Sequence, residues 1–239
     1  MALKKSILLR NVSVYYQTFN EKKNSTLKNT LINSIVGSTI TNIKNKEVIY
    51  PLKNISLEIN EKDKIGLVGQ NGSGKSTFLR LLAGCIEPVE GTIERTGIIK
   101  SILNLEMGLD NELTGMENLR LQAVFRGYDL ENTKKFIDDV LDFSEISNYI
   151  YFPVETYSSG MVLRLAFAMA TYGSPDILLL DEVVNVGDEG FKKKSLNRIE
   201  ELMDSSKIMV MASHDTSIIK NYCNKIFEFK NSSINISKI

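Results

Sequence analysis

Apolar residues recur along the chain in two spacings, one typical of strands and one typical of helices. Loose alternation of apolar and polar positions over 6–16 and 52–59 predicts two strands. Short continuous apolar runs predict three further buried strands, which lie at 64–69, 177–180 and 208–212. Because short apolar strands alternate with helices, we expect an α/β fold around a mostly parallel sheet.

Helical spacing occupies most of the middle of the chain. Thr114 and Glu117 have the spacing of a capping box, which predicts a helix start at that point. The helices predicted for this region cover about 114–126, 131–143 and 161–172. The block at about 101–172 is therefore expected to form a helical lobe inserted into the sheet domain.

A polar stretch rich in Asn and Lys, at 17–47, separates the first two predicted strands. Within it Leu27, Leu31 and Ile35 recur every four residues, which predicts a short amphipathic helix. Such a helix either packs on the core of its own domain or faces a partner. The spacing alone is compatible with both interpretations.

Composition and charge narrow the classes of protein to which the chain could belong. The 239 residues include 29 Lys and Arg and 29 Asp and Glu, so the formal charge is zero. A protein that holds nucleic acid by its phosphates is usually more basic, and we expect no nucleic-acid partner. No apolar run approaches the roughly 20 residues that cross a bilayer, and the start lacks the apolar core of a secretory signal. We therefore expect a cytoplasmic chain, whose two cysteines form neither a zinc site nor a disulfide scaffold.

A glycine-rich segment that follows the strand at 64–69 carries the first candidate chemistry. Its pattern, G-x-x-x-x-G-K-[ST], is that of a loop that binds nucleotide triphosphates. The segment consists of Gly69, Gln70, Asn71, Gly72, Ser73, Gly74, Lys75, Ser76 and Thr77. Glycines allow successive backbone N–H groups to face phosphate oxygens, and the next helix, predicted to end near Ala83, adds its positive N-terminal end. Lys75 is expected to contact the β- and γ-phosphates, and the Ser76 hydroxyl to bind Mg²⁺.

Two of the buried strands end in residues that could act on a bound triphosphate. Asp181 follows the first of these strands and is interpreted as a Mg²⁺ ligand, and the adjacent Glu182 as the residue that orients the attacking water. His214, the only histidine, follows the second strand and is predicted to contact the γ-phosphate or that water. The candidate catalytic residues are therefore Lys75, Glu182 and His214.

The segment between the loop and the acidic strand resembles the signature motif of ATP-binding cassette (ABC) proteins, whose usual form is Leu-Ser-Gly-Gly-Gln. It reads Tyr157-Ser158-Ser159-Gly160-Met161. The order of loop, signature, acidic strand and strand-end histidine is also that of the family. This form of the signature, together with 112–118 and 181–191, resembles the cassettes that export O-antigen, capsule or teichoic acid. The resemblance covers nearly the whole chain.

The resemblance implies a fold and a role for each candidate residue. It implies one P-loop NTPase domain over 1–239 that binds ATP and Mg²⁺, with an inserted helical lobe and an antiparallel β edge. Ser158–Gly160 would contact the γ-phosphate of ATP bound to the opposite subunit, which suits the N-terminus of a helix. The segment 185–188 matches the loop that crosses the dimer interface. Tyr16 would stack on adenine, with Tyr50 as the alternative.

One segment departs from the family pattern. Most cassettes have a glutamine where the sheet meets the helical lobe, and the corresponding stretch, 101–108, has none. Asn104 or Glu106 could take its place, because either side chain has oxygen atoms able to reach Mg²⁺ or water. The sequence leaves the choice between them open.

The function implied by the resemblance is ATP hydrolysis that drives export of lipid-linked polysaccharide, with O-antigen, a part of lipopolysaccharide, as the expected cargo. Two copies would form a homodimer around two ATP molecules and bind a separate membrane-spanning permease. The chain would then be a peripheral protein on the cytoplasmic face of the inner membrane. The stretch at 17–47 resembles the extra helix that such exporters carry near their membrane partner. Only about 25 residues follow His214, so no C-terminal carbohydrate-binding domain is expected.

Two alternatives belong to other functional classes. One is a soluble cassette ATPase that acts on ribosomes or DNA, but such proteins usually have two cassettes or long coiled-coil arms. The other is a small-molecule kinase with the same phosphate loop, which would not need a signature at a helix start. A transporter subunit is expected on membranes only when its permease is co-expressed, whereas a kinase would consume ATP in proportion to an added acceptor.

Overall fold

The protein consists of two compact units, each assembled from separate stretches of the chain. The first comprises Met1–Leu103, Pro175–Val183 and Ser206–Ile239, and the second comprises Asn104–Ser174 and Val184–Ser205. The computed structural model describes residues 4–18, 39–43, 46–103, 108–181 and 189–239. The predicted helix around Leu27, Leu31 and Ile35 lies outside these residues, as do Asn104, Glu106, Glu182 and 185–188.

Two β-sheets form the first unit. The described strands are Ser6–Thr18 (β1), Thr39–Ile43 (β2), Lys46–Asn60 (β3), Lys64–Val68 (β4), Glu90–Thr96 (β5), Ile99–Ile102 (β6), Ile177–Asp181 (β7), Ile208–Ala212 (β8), Lys225–Lys230 (β9) and Ser233–Lys238 (β10). One sheet is antiparallel, in the order β2-β3-β1-β5. The other has the order β10-β9-β4-β8-β7-β6 and is parallel except for the β9–β10 hairpin. The sequence-based prediction of a mostly parallel sheet with an antiparallel β edge is therefore confirmed.

The loose alternation of β1 has a structural cause. Between Leu9 and Val12 the register of β1 shifts against β3, and Asn11 has a φ of 51°. Asparagine tolerates this left-handed conformation better than most residues do. The irregularity breaks the strict two-residue period, yet both Leu9 and Val12 remain buried.

The core of the first unit lies where helix α1, Lys75–Ala83, packs among the strands. Phe78 and Leu79 of α1 are fully buried, and Phe78 has ring contacts with Phe229 of β9 at a centroid distance of 5.5 Å. Fully burying a side chain of this kind contributes roughly 1.5–3 kcal/mol. In the parallel sheet, Asp181 pairs with Ala212 of the neighbouring strand, so the carboxyl ends of β7 and β8 lie at one edge.

The β9–β10 hairpin is joined to β3 at its turn. Asn231 and Ser232 form this two-residue turn with φ values of 51° and 62°, as a type I′ hairpin requires. The backbone N–H of Lys53 donates to the Ser232 carbonyl at 2.9 Å, and the Ser232 hydroxyl donates to the carbonyl of Tyr50. The hairpin therefore supports β3 just beside Pro51.

Helices dominate the second unit. They are Gly115–Phe125 (α2), Leu130–Ser144 (α3), Ser159–Thr171 (α4) and Glu189–Ser205 (α5), whereas the short helix Thr216–Tyr222 (α6) belongs to the first unit. The predicted capping box is present, since the Glu117 N–H donates to the Thr114 hydroxyl and the Thr114 N–H donates to the Glu117 carboxylate. The predicted starts and ends of α2, α3 and α4 agree with the structure within a few residues, whereas α5 was not predicted. Across the described part of the chain, every helix is too short or too polar to span a membrane.

Candidate functional site

One pocket in the first unit gathers half of the candidate site residues that the sequence singles out. It has a volume of about 410 Å³ and lies at the carboxyl edge of the parallel sheet. Its lining consists of Asn71, Gly72, Gly74, Lys75, Ser76, Thr77, Leu103, Asp181, Ala212, Ser213 and His214. The structure thus brings together the glycine-rich loop and the ends of β7 and β8, which are far apart in the sequence.

The glycine-rich loop owes its shape to the strand before it and to close packing against β3. β4 is buried and leads directly into the loop, and α1 follows at Lys75. Gly74 has a φ of 110°, and a Cβ at this position would lie 2.6 Å from the carbonyl oxygen of Pro51. Glycine is therefore required at 74 both by its backbone conformation and by the space available.

The start of α1 is suited to an anion. The other α-helices with a described first turn begin with a capping side chain, from Thr114, Asp129, Ser158 and Asp215. In contrast, the residue before α1 is Gly74, which has no side chain, and the first turn of α1 contains no acidic residue. The leading N–H groups of α1 are therefore not capped by a side chain, and together with the helix dipole they favour phosphate.

Lys75 places its positive charge inside the loop. Its Nζ donates to the carbonyl oxygens of Gly69 at 2.7 Å and Gln70 at 3.1 Å. These bonds hold the side chain folded across the loop, where the ammonium attracts an anion to the pocket. Gly69, Gln70 and Ser73 do not line the pocket, and the Ser73 hydroxyl is buried without a hydrogen-bond partner among the described residues.

The pocket also offers oxygen atoms of the kind that Mg²⁺ binds. Ser76 and Asp181 both line it, and they provide a hydroxyl and a carboxylate. Mg²⁺ prefers oxygen ligands and is usually held by one or two carboxylates together with phosphates and water. The residues present therefore fit a magnesium ion bound beside a triphosphate.

His214 lies on the same edge as Asp181 because β7 and β8 are neighbours. It lines the pocket two residues after the end of β8, and Asp215 next to it caps α6 by accepting from the Ser217 N–H at 2.8 Å. The cap fixes the direction in which the chain leaves the strand. Ser213 and Leu103 also line the pocket and were missed by the sequence analysis. The strand-end position that singled out His214 could have identified Ser213 as well.

The signature residues belong to the second unit. Ser158, Ser159 and Gly160 are exposed at the N-terminus of α4, where the Ser158 hydroxyl accepts from the Met161 N–H at 3.3 Å. Their predicted contact with the nucleotide of a second copy is not tested by the structure of a single chain and stays a prediction. The same holds for Glu182, Asn104 and Glu106, which lie outside the described residues.

The two tyrosines proposed for adenine differ in exposure. Tyr16 on β1 is 48% exposed, whereas Tyr50 is 7% exposed and packs against Tyr15 with ring centroids 5.2 Å apart. A ring that stacks on a nucleotide base needs a free face. The exposure of Tyr16 is compatible with stacking on adenine, which stays a prediction, whereas Tyr50 makes a packing contact.

Comparison with known proteins agrees with this geometry. The model of the ABC transporter family matches residues 52–185. The chain is 39% identical over 230 residues to the O-antigen export system ATP-binding protein RfbE of Yersinia enterocolitica, a match that covers 96% of each protein. It is 41% identical over 182 residues to the teichoic acids export ATP-binding protein TagH of Bacillus anthracis, which covers 76% of this chain and 33% of that relative. The chain thus spans about a third of the length of this TagH protein.

A solved structure gives the same result for the fold. The dimeric, post-hydrolysis structure of the ATP-binding cassette MJ0796, bound to ADP and Pi, matches with a TM-score of 0.67 at 22% identity, over 97% of this chain and 98% of that one. The predicted fold class and family resemblance are both confirmed. The family match covers more than half of the chain, and the Yersinia relative aligns with nearly all of it. The chain therefore belongs to the ABC transporter family, as an ATPase.

Proposed function

We propose that this ATPase drives export of a lipid-linked polysaccharide across the cytoplasmic membrane, with O-antigen as the cargo. The observation that carries the proposal is the match to an O-antigen export ATP-binding protein over 96% of both chains. The teichoic acid export relative has a similar sequence identity to this chain, but it is about three times as long as the region that matches. Both relatives belong to export systems for cell-surface polymers, which supports the general class of cargo.

In this proposal the residues that line the pocket act in hydrolysis together with Glu182 and Tyr16. The N–H groups at the start of α1 and the Lys75 ammonium hold the β- and γ-phosphates of ATP. Ser76 and Asp181 would hold Mg²⁺, and a magnesium ion there would neutralise negative charge on the phosphates. Glu182 orients the attacking water, and His214 contacts the γ-phosphate from the end of β8. Tyr16 stacks on the adenine ring.

A second copy of the chain completes each site in this proposal. The exposed Ser158–Gly160 at the start of α4 can present backbone N–H groups and a positive helix end to the γ-phosphate bound by the other copy. The solved structure with the same fold is dimeric, which supports this arrangement. Closure of the dimer on ATP moves a membrane-spanning permease, and hydrolysis resets it. The chain itself acts at the cytoplasmic face, as one cassette domain.

The test is a gene replacement in the cell that makes the polymer. Deletion of the gene is expected to remove the polysaccharide from the cell surface and to leave its lipid-linked form inside. The wild-type gene restores export, and a Glu182→Gln variant does not, because its water is no longer oriented for attack. Glu58→Gln, on an exposed position of β3, is the matched control and restores export. Surface polymer and extracted lipid-linked polymer are both measured by gel electrophoresis.

Other outcomes distinguish the alternatives. A trapped polymer of glycerol or ribitol phosphate would replace O-antigen with teichoic acid as the cargo. If deletion leaves the surface polymer unchanged and the purified protein consumes ATP in proportion to a small acceptor, the export proposal is wrong. A small-molecule kinase would then be the better explanation.

A further inference from the structure

The segment that leads into the signature is bound by hydrogen bonds to the start of α2. The N–H of Val154 donates to the carbonyl of Leu113 at 3.0 Å, and the N–H of Met116 donates to the carbonyl of Ile150 at 2.8 Å. The N–H of Glu155 also donates a hydrogen bond to the backbone carbonyl of Asn111, at 2.9 Å. The backbone at 150–155 is therefore held against 111–116 immediately before the signature begins.

Tyr157 connects these two segments through its side chain. It is only 9% exposed, and its hydroxyl donates to the backbone carbonyl of Tyr149 at 2.8 Å. Burial raises the pKa of Tyr157, and a backbone hydrogen bond at Gly115 offsets this in part. The hydroxyl therefore keeps its proton at neutral pH and remains a donor.

Gly115 leaves the space that the tyrosine hydroxyl occupies. A Cβ at this position would lie 2.5 Å from the Tyr157 oxygen and 2.7 Å from the Cδ1 of Ile150. No other atom of Tyr157 lies closer than 3.2 Å to the position that a Cβ on Gly115 would take. Gly115 has no positive φ, so its backbone conformation is open to any residue. Since glycine disfavours helices relative to alanine, the close approach of Tyr157 is the physical reason for glycine at this helix start.

We propose that Tyr157 is a positioning residue, fitted against Gly115, that fixes the signature Ser158–Gly160 for contact with the nucleotide of a second copy. The inference rests on the proposed dimer. Ser158 follows Tyr157 directly and caps the N-terminus of α4, so a shift of the tyrosine passes to the signature backbone without an intervening residue. Binding groups of this kind need placement within about 0.5 Å, which explains why a buried anchor precedes them.

The test compares two Tyr→Phe substitutions that each remove one hydroxyl. Both are made in a Glu182→Gln background, so that ATP is not consumed. Tyr157→Phe is expected to weaken the ATP-dependent dimer about fivefold, because the signature then has to be held in its binding position without this hydrogen bond, while the affinity of the monomer for ATP stays unchanged. Tyr151→Phe is the matched control, because Tyr151 is 71% exposed in the same segment, and it should alter neither quantity. Dimerisation is measured by analytical ultracentrifugation and ATP affinity with a fluorescent ATP analogue.

A double mutant tests the fit between the two residues. Gly115→Ala is expected to weaken the dimer more than Tyr157→Phe does, because the added Cβ meets the hydroxyl. Adding Tyr157→Phe to Gly115→Ala removes the closest contact and should restore part of the lost dimer affinity. If Gly115→Ala does not fold, the comparison of Tyr157→Phe with Tyr151→Phe alone tests the positioning role of Tyr157.

Failure of this inference differs from failure of the proposed function. If the Glu182→Gln parent forms no dimer with ATP, the proposed dimer is wrong and the role of Tyr157 falls with it. If the parent dimerises but Tyr157→Phe behaves like Tyr151→Phe, only the positioning role is overturned. The same conclusion follows if Tyr157→Phe lowers monomer ATP affinity as much as dimer affinity, because that is the result of a general structural defect.

Discussion

Asp176 lies directly before β7 and collects three hydrogen-bond donors within the first unit. Its carboxylate accepts from the N–H of Ile98 at 3.0 Å and forms ion pairs with Lys5 at 3.2 Å and Lys207 at 3.1 Å. The backbone hydrogen bond, assisted by the two lysines, lowers the pKa of Asp176 from 3.8 to about 2. One side chain thereby joins the start of β7 to the segments before β1, β6 and β8.

We expect Asp176→Asn to lower the free energy of unfolding by about 1–2 kcal/mol at pH 7, because the amide loses both ion pairs. The folded pKa lies below the unfolded value of 3.8, so the carboxylate stabilises the protein fully above that value. This stabilisation is lost as the pH falls through about 2. The free energies of unfolding of the wild type and of Asp176→Asn, measured by urea denaturation, should therefore become equal as the pH is lowered towards about 2.

Asp138→Asn is the control, since Asp138 is exposed on α3. It should leave the unfolding free energy within about 0.5 kcal/mol of wild type at both pH values. A difference between Asp176→Asn and wild type that is the same at pH 7 and near pH 2 would contradict the assigned role.

At the scale of one element, α5 is held to its neighbours by rings and by ions. Phe191 of α5 packs against Phe143 of α3 and Phe167 of α4, with ring centroids 5.5 and 6.0 Å apart. Arg198 forms two hydrogen bonds with Asp139 of α3, at 2.7 and 2.9 Å. Both sets of contacts hold α5 in place. We expect the buried ring of Phe191 to contribute more to the free energy of unfolding, because partly exposed ion pairs usually contribute only about 0–1 kcal/mol.

Phe191→Ala is expected to cost about 3 kcal/mol of unfolding free energy through lost burial and the cavity left behind. Arg198→Ala should cost about 1 kcal/mol. Lys193→Ala, an exposed neighbour on the same helix, serves as the control and should change little. Urea denaturation followed by circular dichroism ranks the three variants. A larger effect for Arg198→Ala than for Phe191→Ala would show that the ion pairs dominate.

At the scale of the whole molecule, the proposed dimer makes a prediction for the purified protein. Glu182→Gln is expected to keep ATP affinity and to lose turnover by at least about 100-fold, because general-base assistance is removed. With hydrolysis blocked, ATP should hold two copies together, and light scattering should report a doubled mass. Normal turnover in this variant would remove Glu182 from its assigned role.

The sequence predicted what depends on local patterns. The loop 69–77, the strand ends at Asp181 and His214, and the capping box of α2 each follow from neighbouring residues, and the structure agrees on their position. The sequence did not predict β2, β5 or the β9–β10 hairpin. For β5 the physical reason is that its partner, β1, is distant in the sequence and irregular at Asn11. Contacts between separate elements, such as Tyr157 with Gly115, have no local signature and required the structure.

The bracing of the nucleotide loop has a kinetic consequence. One end of the loop abuts Pro51 of β3, and at the other end a Cβ on Gly69 would lie 2.9 Å from the carbonyl oxygen of Phe229 in β9. Ser232 joins that hairpin back to β3, so the loop is enclosed by strands on both sides. A loop that already has its binding conformation before ATP arrives loses little conformational entropy when ATP binds. Capture of ATP should therefore run near the rate of molecular encounter, and residence time should set the affinity.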